Sequence, residues 1–584
     1  MIFTILAILF LLIVFTGIGL LFPWNVYRQD RRFESLLLCF WVGWCIAIAF
    51  LQVWHFFFPA GLAAFLILLG ISGVGWWQTR AVVAGMACAW NRPQALMLAG
   101  LALIPCVMLA NHVLFIEPNS DYALYHLQTV KWFSNYAIVP GIGNVFNPLA
   151  TNSANFLYTA MIDSGLLEGR AYYIANTLPA YVAILHSATG LVALTQRRPI
   201  RSADLFHALM VPVILMQAST AYVVAYSPDP VMFFLQIVIA GELLHLFDDP
   251  RDARRFQSRS LQMVLLAMAG ICLKLSFAVF GALSLLVMAC VGISRYHALP
   301  WRNPRLWLGW AGLACAFLLP WMGRSVVMSG YLAFPNTLIG FPVVWKIPPM
   351  LADAAQVVVK MWAVTVNGSI EYTGDITWFM QWWNLFPFFA RQTFIFSLGL
   401  LALDVILLAR LRARQEAPNT QPPTDLGAAA LVLIVAPSLV FWFLMGPSYR
   451  FSGALFWILF VAAVLFGFRL LANTRLVTRP ELLAYSLVLV MSLWQSPNHF
   501  SNNLSRKMLF LAPTEQALAE QGQARASLRL RTTESGLVMN IPPEGDEVCW
   551  DAPLPCTTDA NFLPSLRLLE PGNLQKGFAL ELTD

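Results

Sequence analysis

The sequence predicts an all-α polytopic membrane protein of about 14 transmembrane helices, with a small C-terminal extracytoplasmic domain. Three observations carry this. Apolar runs of about 18 to 22 residues recur along the chain, the length at which a helix crosses a hydrocarbon core. Of 584 residues, 59% are hydrophobic and only 11% charged. Arginines fall in alternate segments between the runs, the pattern by which the positive-inside bias sets orientation. The formal net charge of +6 therefore reports topology and not a nucleic-acid partner.

Taken in order, Met1 to Phe22 is apolar, without a basic leader or a small-residue cleavage site, and reads as a retained span. Arg28, Arg31 and Arg32 follow it and mark the cytoplasmic side. Further runs cover 34–54, 61–78, 96–115, 171–195, 204–225, 230–247, 260–277, 278–294, 305–322, 393–409, 427–445, 452–470 and 481–496. With this count, Arg80 and Arg92, Arg197, Arg198 and Arg201, Arg251, Arg254 and Arg255, Arg295, Arg302 and Arg305, Arg410, Arg412 and Arg414, and Arg475 and Arg479 share one face. Asp121, Ser227 to Pro230, the segment Gly323 to Arg391, Pro447 to Arg450 and the tail after Gln495 share the other. The segment Asn152 to Leu167 is too short and too polar for a span. It is expected to be a second interfacial helix.

The resulting organisation is a transmembrane domain, 1–496, with outer loops at 116–168 and 323–391, and a tail domain, 497–584. A short Pro-rich linker, APNTQPPTD, falls on the cytoplasmic side. The tail mixes polar residues with β-type runs such as GLVMNIP. Seven of the nine cysteines (Cys39, Cys45, Cys88, Cys106, Cys272, Cys290 and Cys315) lie in or beside apolar segments, where small core residues are expected. Cys549 and Cys556, in CWDAPLPC, suit a disulfide-closed loop in an oxidising compartment. Zinc would need further ligands, and the tail beyond Phe500 has no His.

The stretch EPNSDYALYHLQTVKWFSNYAIVP, Glu117 to Pro140, holds the strongest candidate for chemistry. Leu124, Leu127, Val130 and Phe133 recur at helical spacing, with His126, Gln128, Lys131 and Asn135 on other faces, as in a helix lying flat at a membrane interface. Asp121, beside Ser120, stands at its head, where a carboxylate either caps the helix or serves as a base. Asp229 in YSPDP is a second outer carboxylate that could equally be a turn residue. Glu117 is a third, and with these it could hold a divalent metal ion, although no spacing specifies one. Lys274 in ICLKLS is a cation within an apolar run, open both to snorkelling and to function. Arg324 and Arg450 oppose the prevailing charge bias. Three outer cations suit a phosphate. Glu242, His245 and Asp404 lie toward cytoplasmic ends of spans and read as structural. Trp378, Trp382, Trp383 and Tyr372 fit an aromatic belt as well as a sugar platform, and Asn367 to Ser369 matches a short sequon.

These residues resemble a known superfamily. An apolar span, an outer loop opening on Asp121 with Tyr125 four residues later, an amphipathic helix ending in Ile138-Val139-Pro140 and a second short helix resemble the plan of the GT-C glycosyltransferases. More closely, DYALYH with IVPGIGN, YSPDP, LKLS, SGYLAFP followed by WKIP, PSYRF, and CWDAPLPCT with a terminal GF are similar to an uncharacterised bacterial multi-pass family near that superfamily. The resemblance implies an inverting transferase of the bacterial inner membrane with its active site and C-terminus on the periplasmic face. The donor would be a polyprenyl-phosphate-linked sugar, the acceptor a glycan, lipid or protein. Asp121 or Asp229 would be the base, and Lys274, Arg324 and Arg450 would hold the donor phosphate. Glu117, Tyr125, His126 and Tyr331 would position substrate. The alternatives are a transporter or flippase of lipid-linked saccharides and an enzyme of the O-antigen ligase or polymerase type. The first calls for midplane charges on several spans and related halves, neither of which is prominent in this sequence.

Overall fold

The computed structural model describes residues 1–22, 33–88, 92–114, 120–195, 200–248, 252–365, 377–413, 425–472, 480–494, 527–543, 548–559 and 564–581. Among these residues, ten helices are long and apolar enough to cross a membrane, as a multi-pass membrane protein requires. Four shorter apolar helices stand at 99–112, 202–218, 455–471 and 483–493, where the sequence also places spans.

The first three helices, α1 (Ile2–Leu20), α2 (Phe33–Trp54) and α3 (Leu62–Cys88), pack through small residues. A Cβ at Gly43 would lie 1.8 Å from the Phe15 carbonyl oxygen, and one at Gly75 1.9 Å from that of Gly17. Lipid tails are as apolar as leucine, so close backbone approach and dispersion hold such helices together. After α4 (Arg92–His112), the chain enters the loop that the sequence singles out.

There the structure departs from a flat interfacial helix. A π-turn, Tyr122–His126, leads into α5 (Leu127–Asn135). Leu127, Val130 and Phe133 face the core, but Gln128 and Thr129 are buried as well. The tail covers the polar side. Gln128 Nε2 donates to the carbonyls of Trp550 (2.8 Å) and Ala552 (3.1 Å), and Lys131 Nζ meets Asp551 Oδ1 at 2.9 Å. The expected second interfacial helix is α6 (Ala154–Ile162), capped by Ser153 and buried at every position. It fails to be amphipathic because it packs against α2, α3 and α5.

The bundle continues through α7 (Ala171–Ile174), α8 (Thr177–Leu194), α9 (Ser202–Ala218), α10 (Asp229–Asp248), α11 (Ala253–Leu273), α12 (Ala278–Tyr296) and α13 (Pro304–Ser329). The helix α10 is buried almost throughout and forms the centre of the bundle. The second large loop holds a hairpin, β1 (Tyr331–Ala333) with β2 (Asn336–Gly340), then α14 (Pro349–Thr365) and α15 (Trp378–Leu385). Trp382 is not available as a sugar platform: it is buried, donates to the Pro447 carbonyl and packs on Phe443 and Phe386. Four apolar helices follow, α16 (Phe388–Ala413), α17 (Leu426–Met445), α18 (Leu455–Ala472) and α19 (Pro480–Trp494).

In the tail, β3 (Arg529–Thr532) pairs antiparallel with β4 (Val538–Ile541), the GLVMNIP run, and β5 (Leu566–Leu568) with β6 (Phe578–Leu580). Cys549 and Cys556 are disulfide-bonded. The tail docks along the first loop: Trp550 N–H donates to the Ala123 carbonyl, Phe578 N–H to that of Pro140, and Thr557 Oγ1 to that of Val145.

Candidate functional site

Four residues that lie far apart in sequence meet at one end of the bundle. Asp121 precedes the π-turn, but its side chain makes no capping hydrogen bond. Instead its Oδ2 accepts from Arg450 Nη1 at 2.5 Å. Arg450 sits on a 3-10 turn, Tyr449–Ser452, between α17 and α18. That turn is fastened from α10: Gln236 Oε1 accepts from the Ala454 N–H, and Gly453 adopts φ +57°, a left-handed conformation natural to glycine.

Asp229 opens α10, with Pro230 at the next position, where a missing N–H has no consequence. Its carboxylate pairs with the Lys274 ammonium and lies 3.9 Å from Arg450 Nε. Lys274 follows α11 in an extended conformation (φ −157°, ψ 129°), at the break before α12. Its position is therefore set by an interrupted helix. It neither snorkels alone nor lacks a partner. Phe451 supplies an aromatic floor, with Lys274 Nζ 3.8 Å and Arg450 Cζ 5.1 Å from its ring centre.

The result is an alternating array, Asp121, Arg450, Asp229, Lys274, whose formal charges cancel. Burial alone would lower the Arg450 guanidinium, but Asp229 and Asp121 outweigh it and hold the group above its ordinary value. Such an array can exchange one of its carboxylates for an incoming phosphate oxygen, and the released carboxylate can take a proton.

Tyr125 and His126 border the array. The two rings lie 4.4 Å apart, and both pack near Phe156. Burial, followed by the Asp121 charge, raises the Tyr125 phenol. Burial pushes His126 down to about 4, so its ring is neutral near pH 7. Sequence reasoning missed Phe451, which has no polar group to attract notice, and Tyr222, on a short turn near the same charges.

Arg324 stands apart. It is fully buried, with Nη1 2.8 Å from His55 Nδ1, Nε 3.3 Å from Asn152 Oδ1, and its guanidinium over Phe133. Among the described residues it makes no ion pair, and it braces α13 against the first loop. Tyr331 is likewise buried, with its hydroxyl donating to the Ile347 carbonyl. Glu117, Tyr372 and the sequon at Asn367 lie outside the described residues.

Each carboxylate of the array already has a cation on one oxygen, Lys274 on Asp229 Oδ1 and Arg450 on Asp121 Oδ2, so a divalent ion there would share the carboxylates with them. Among the described residues, the side chains grouped closely enough to ligate a metal lie elsewhere.

Residues 1–457 match the family described as domain of unknown function DUF8201. The chain belongs to this family. No curated protein and no solved structure matches it. The family match contains Asp121, Asp229, Lys274 and Arg450, whereas the disulfide-bonded tail lies beyond it.

Proposed function

We propose that this DUF8201 protein is an inverting glycosyltransferase of the GT-C type. It moves a sugar from a polyprenyl-phosphate carrier to a glycan, lipid or protein acceptor at the periplasmic face of the bacterial inner membrane. The observation that carries this reading is the convergence of two carboxylates and two cations, drawn from four separate segments, at one end of a membrane bundle. Docking of the tail at the same end supports a shared outer face.

In this mechanism the donor phosphate draws Arg450 away from Asp121 and also contacts Lys274. The acceptor hydroxyl oxygen attacks the anomeric carbon opposite the phosphate. The bond from that carbon to the phosphate oxygen breaks, its electron pair leaves on the phosphate, and the hydroxyl proton passes to Asp121. The two cations stabilise charge where it develops. Asp229 holds Lys274 and Arg450 in register.

The test compares cells carrying wild-type protein with cells carrying Asp121→Asn, using mass spectrometry of lipid-linked sugars and envelope glycans. Loss of a base is expected to slow transfer by about 10²- to 10⁴-fold, so the lipid-linked sugar accumulates and one glycan disappears. If Asp121→Asn keeps normal product while Asp229→Asn loses it, the base is Asp229. If neither substitution alters either pool, the transferase reading fails and the transporter takes its place.

A further inference from the structure

A second group of ionisable side chains lies about 20 Å further along α10 from Asp229. It draws Glu34 from α2, His186 from α8, His207 from α9, Glu242 and His245 from α10, and Arg259 from α11. All but Glu34 are buried. Six such groups inside a membrane bundle are costly unless they have a task.

We propose that Glu34, His186 and Glu242 bind a divalent first-row metal ion of the zinc class. One donor atom from each lies within 4.8 Å of the others. Ligand atoms on a tetrahedral zinc ion stand about 3.4 Å apart, so small side-chain rotations bring these three into one coordination sphere. Imidazole nitrogen with carboxylate oxygen is a donor set that suits zinc and its neighbours.

Three further observations support a ligand here. Among the described residues, neither ring nitrogen of the fully buried His186 has a hydrogen-bond partner, although an imidazole carries both a donor and an acceptor. Glu242 uses Oε2 to accept from Arg259 and, among the described residues, leaves Oε1 without a partner, while Glu34 Oε1 lies 2.7 Å from His245 Nε2. Each carboxylate is thus oriented from outside the site, as the ligands of metal centres are. Finally, the two carboxylates face a single arginine, Arg259, across a low-dielectric interior, where a cation between them is held strongly.

His207 completes the frame. Its ring stacks on His186, with centres 5.0 Å apart and planes 16° apart. It occupies space kept open by Gly241, where a Cβ would lie 2.3 Å from His207 Nε2. The ion would join α2, α8 and α10 at the end of the bundle remote from the charged array.

The rival occupant is a proton shared by His245 and Glu34, and the experiment separates the two. Full-length protein in nanodiscs is exposed to micromolar zinc chloride, dialysed, and examined by elemental analysis, zinc K-edge absorption and thermal unfolding. Wild type is expected to retain about one zinc per chain, with nitrogen and oxygen neighbours at about 2.0–2.1 Å, and to lose thermal stability on chelation. His186→Phe keeps the ring volume and the stack, and it strands no charge. It is expected to fold, to lose zinc and to unfold at a temperature indifferent to zinc or chelator. His245→Gln removes the outer partner of Glu34, and a ring that packs on His207, and should weaken zinc binding by about 10- to 100-fold. A wild type that holds no zinc overturns the proposal in favour of the proton. A His186→Phe protein with unchanged zinc content also overturns it, as does a sulfur shell at about 2.3 Å, because both place the ion elsewhere. Should His186→Phe fail to fold, the wild-type absorption spectrum still decides.

Discussion

Asp229 and Lys274 allow the charged array to be tested as an energetic unit, because each single substitution breaks their pair while the double substitution removes it. Their side chains are 7% and 19% exposed. Breaking a fully buried pair costs about 3–5 kcal/mol, since a charge is left without compensation. Partial exposure and the remaining partners reduce that here. After Lys274→Met, Asp229 keeps Arg450, whose Nε is 3.9 Å away. After Asp229→Asn, Lys274 keeps the ring of Phe451 at 3.8 Å. Each single substitution is therefore expected to cost about 2–3 kcal/mol. The double variant leaves Asp121 and Arg450 balanced and loses mainly packing, about 2 kcal/mol. The coupling energy is then about 3 kcal/mol. Reversible unfolding in mixed micelles, followed by fluorescence of the chain's 21 tryptophans, measures all three. Costs that add to within about 0.5 kcal/mol would show that the two residues do not act together, and the alternating array would have to be abandoned.

Three other expectations follow from the structure. Replacing both Cys549 and Cys556 by Ser opens a short loop whose closure is worth about 2–3 kcal/mol; hydrogen exchange at the Trp550 amide, bonded to Ala123, should then rise, and unchanged protection would show that the disulfide does not hold the tail on the first loop. His126 is held at about 4 in the fold against 6.5 unfolded, so the unfolded chain binds the extra proton. Its contribution is present above pH 6.5 and is lost as pH falls toward 4, by about 3 kcal/mol; His126→Gln should flatten that part of the stability profile, and a wild-type profile in the variant would contradict it. Gly43→Ala places a Cβ 1.8 Å from the Phe15 carbonyl. It should separate α1 from α2 and cost about 2 kcal/mol or more, measurable as a fall in melting temperature, whereas an unchanged melting temperature would refute the close approach.

The members of the charged array were readable from the chain as single residues because the signals were local. Asp121, Asp229, Lys274 and Arg450 each stand out as a charge at the edge of an apolar run, and Cys549 and Cys556 as a close pair in a polar tail. Their partners were not readable. An ion pair between Asp121 and Arg450 joins segments separated by most of the sequence, and no periodicity encodes it. The same limit misplaced Arg324: as an outer cation it suggests phosphate, yet tertiary packing turns it inward against His55 and Asn152.

By itself, the sequence determined the helical class, the positions of the apolar segments and the strand-forming run at GLVMNIP, since length, hydropathy and β-propensity act along the chain. Only the tertiary structure decided which surfaces were left to water. It covered the polar side of α5 with the tail, buried α6 on every face and gathered Glu34, His186 and Glu242 from three helices. Burial and pairing depend on what packs across a face, and that is set by contacts between residues remote in sequence.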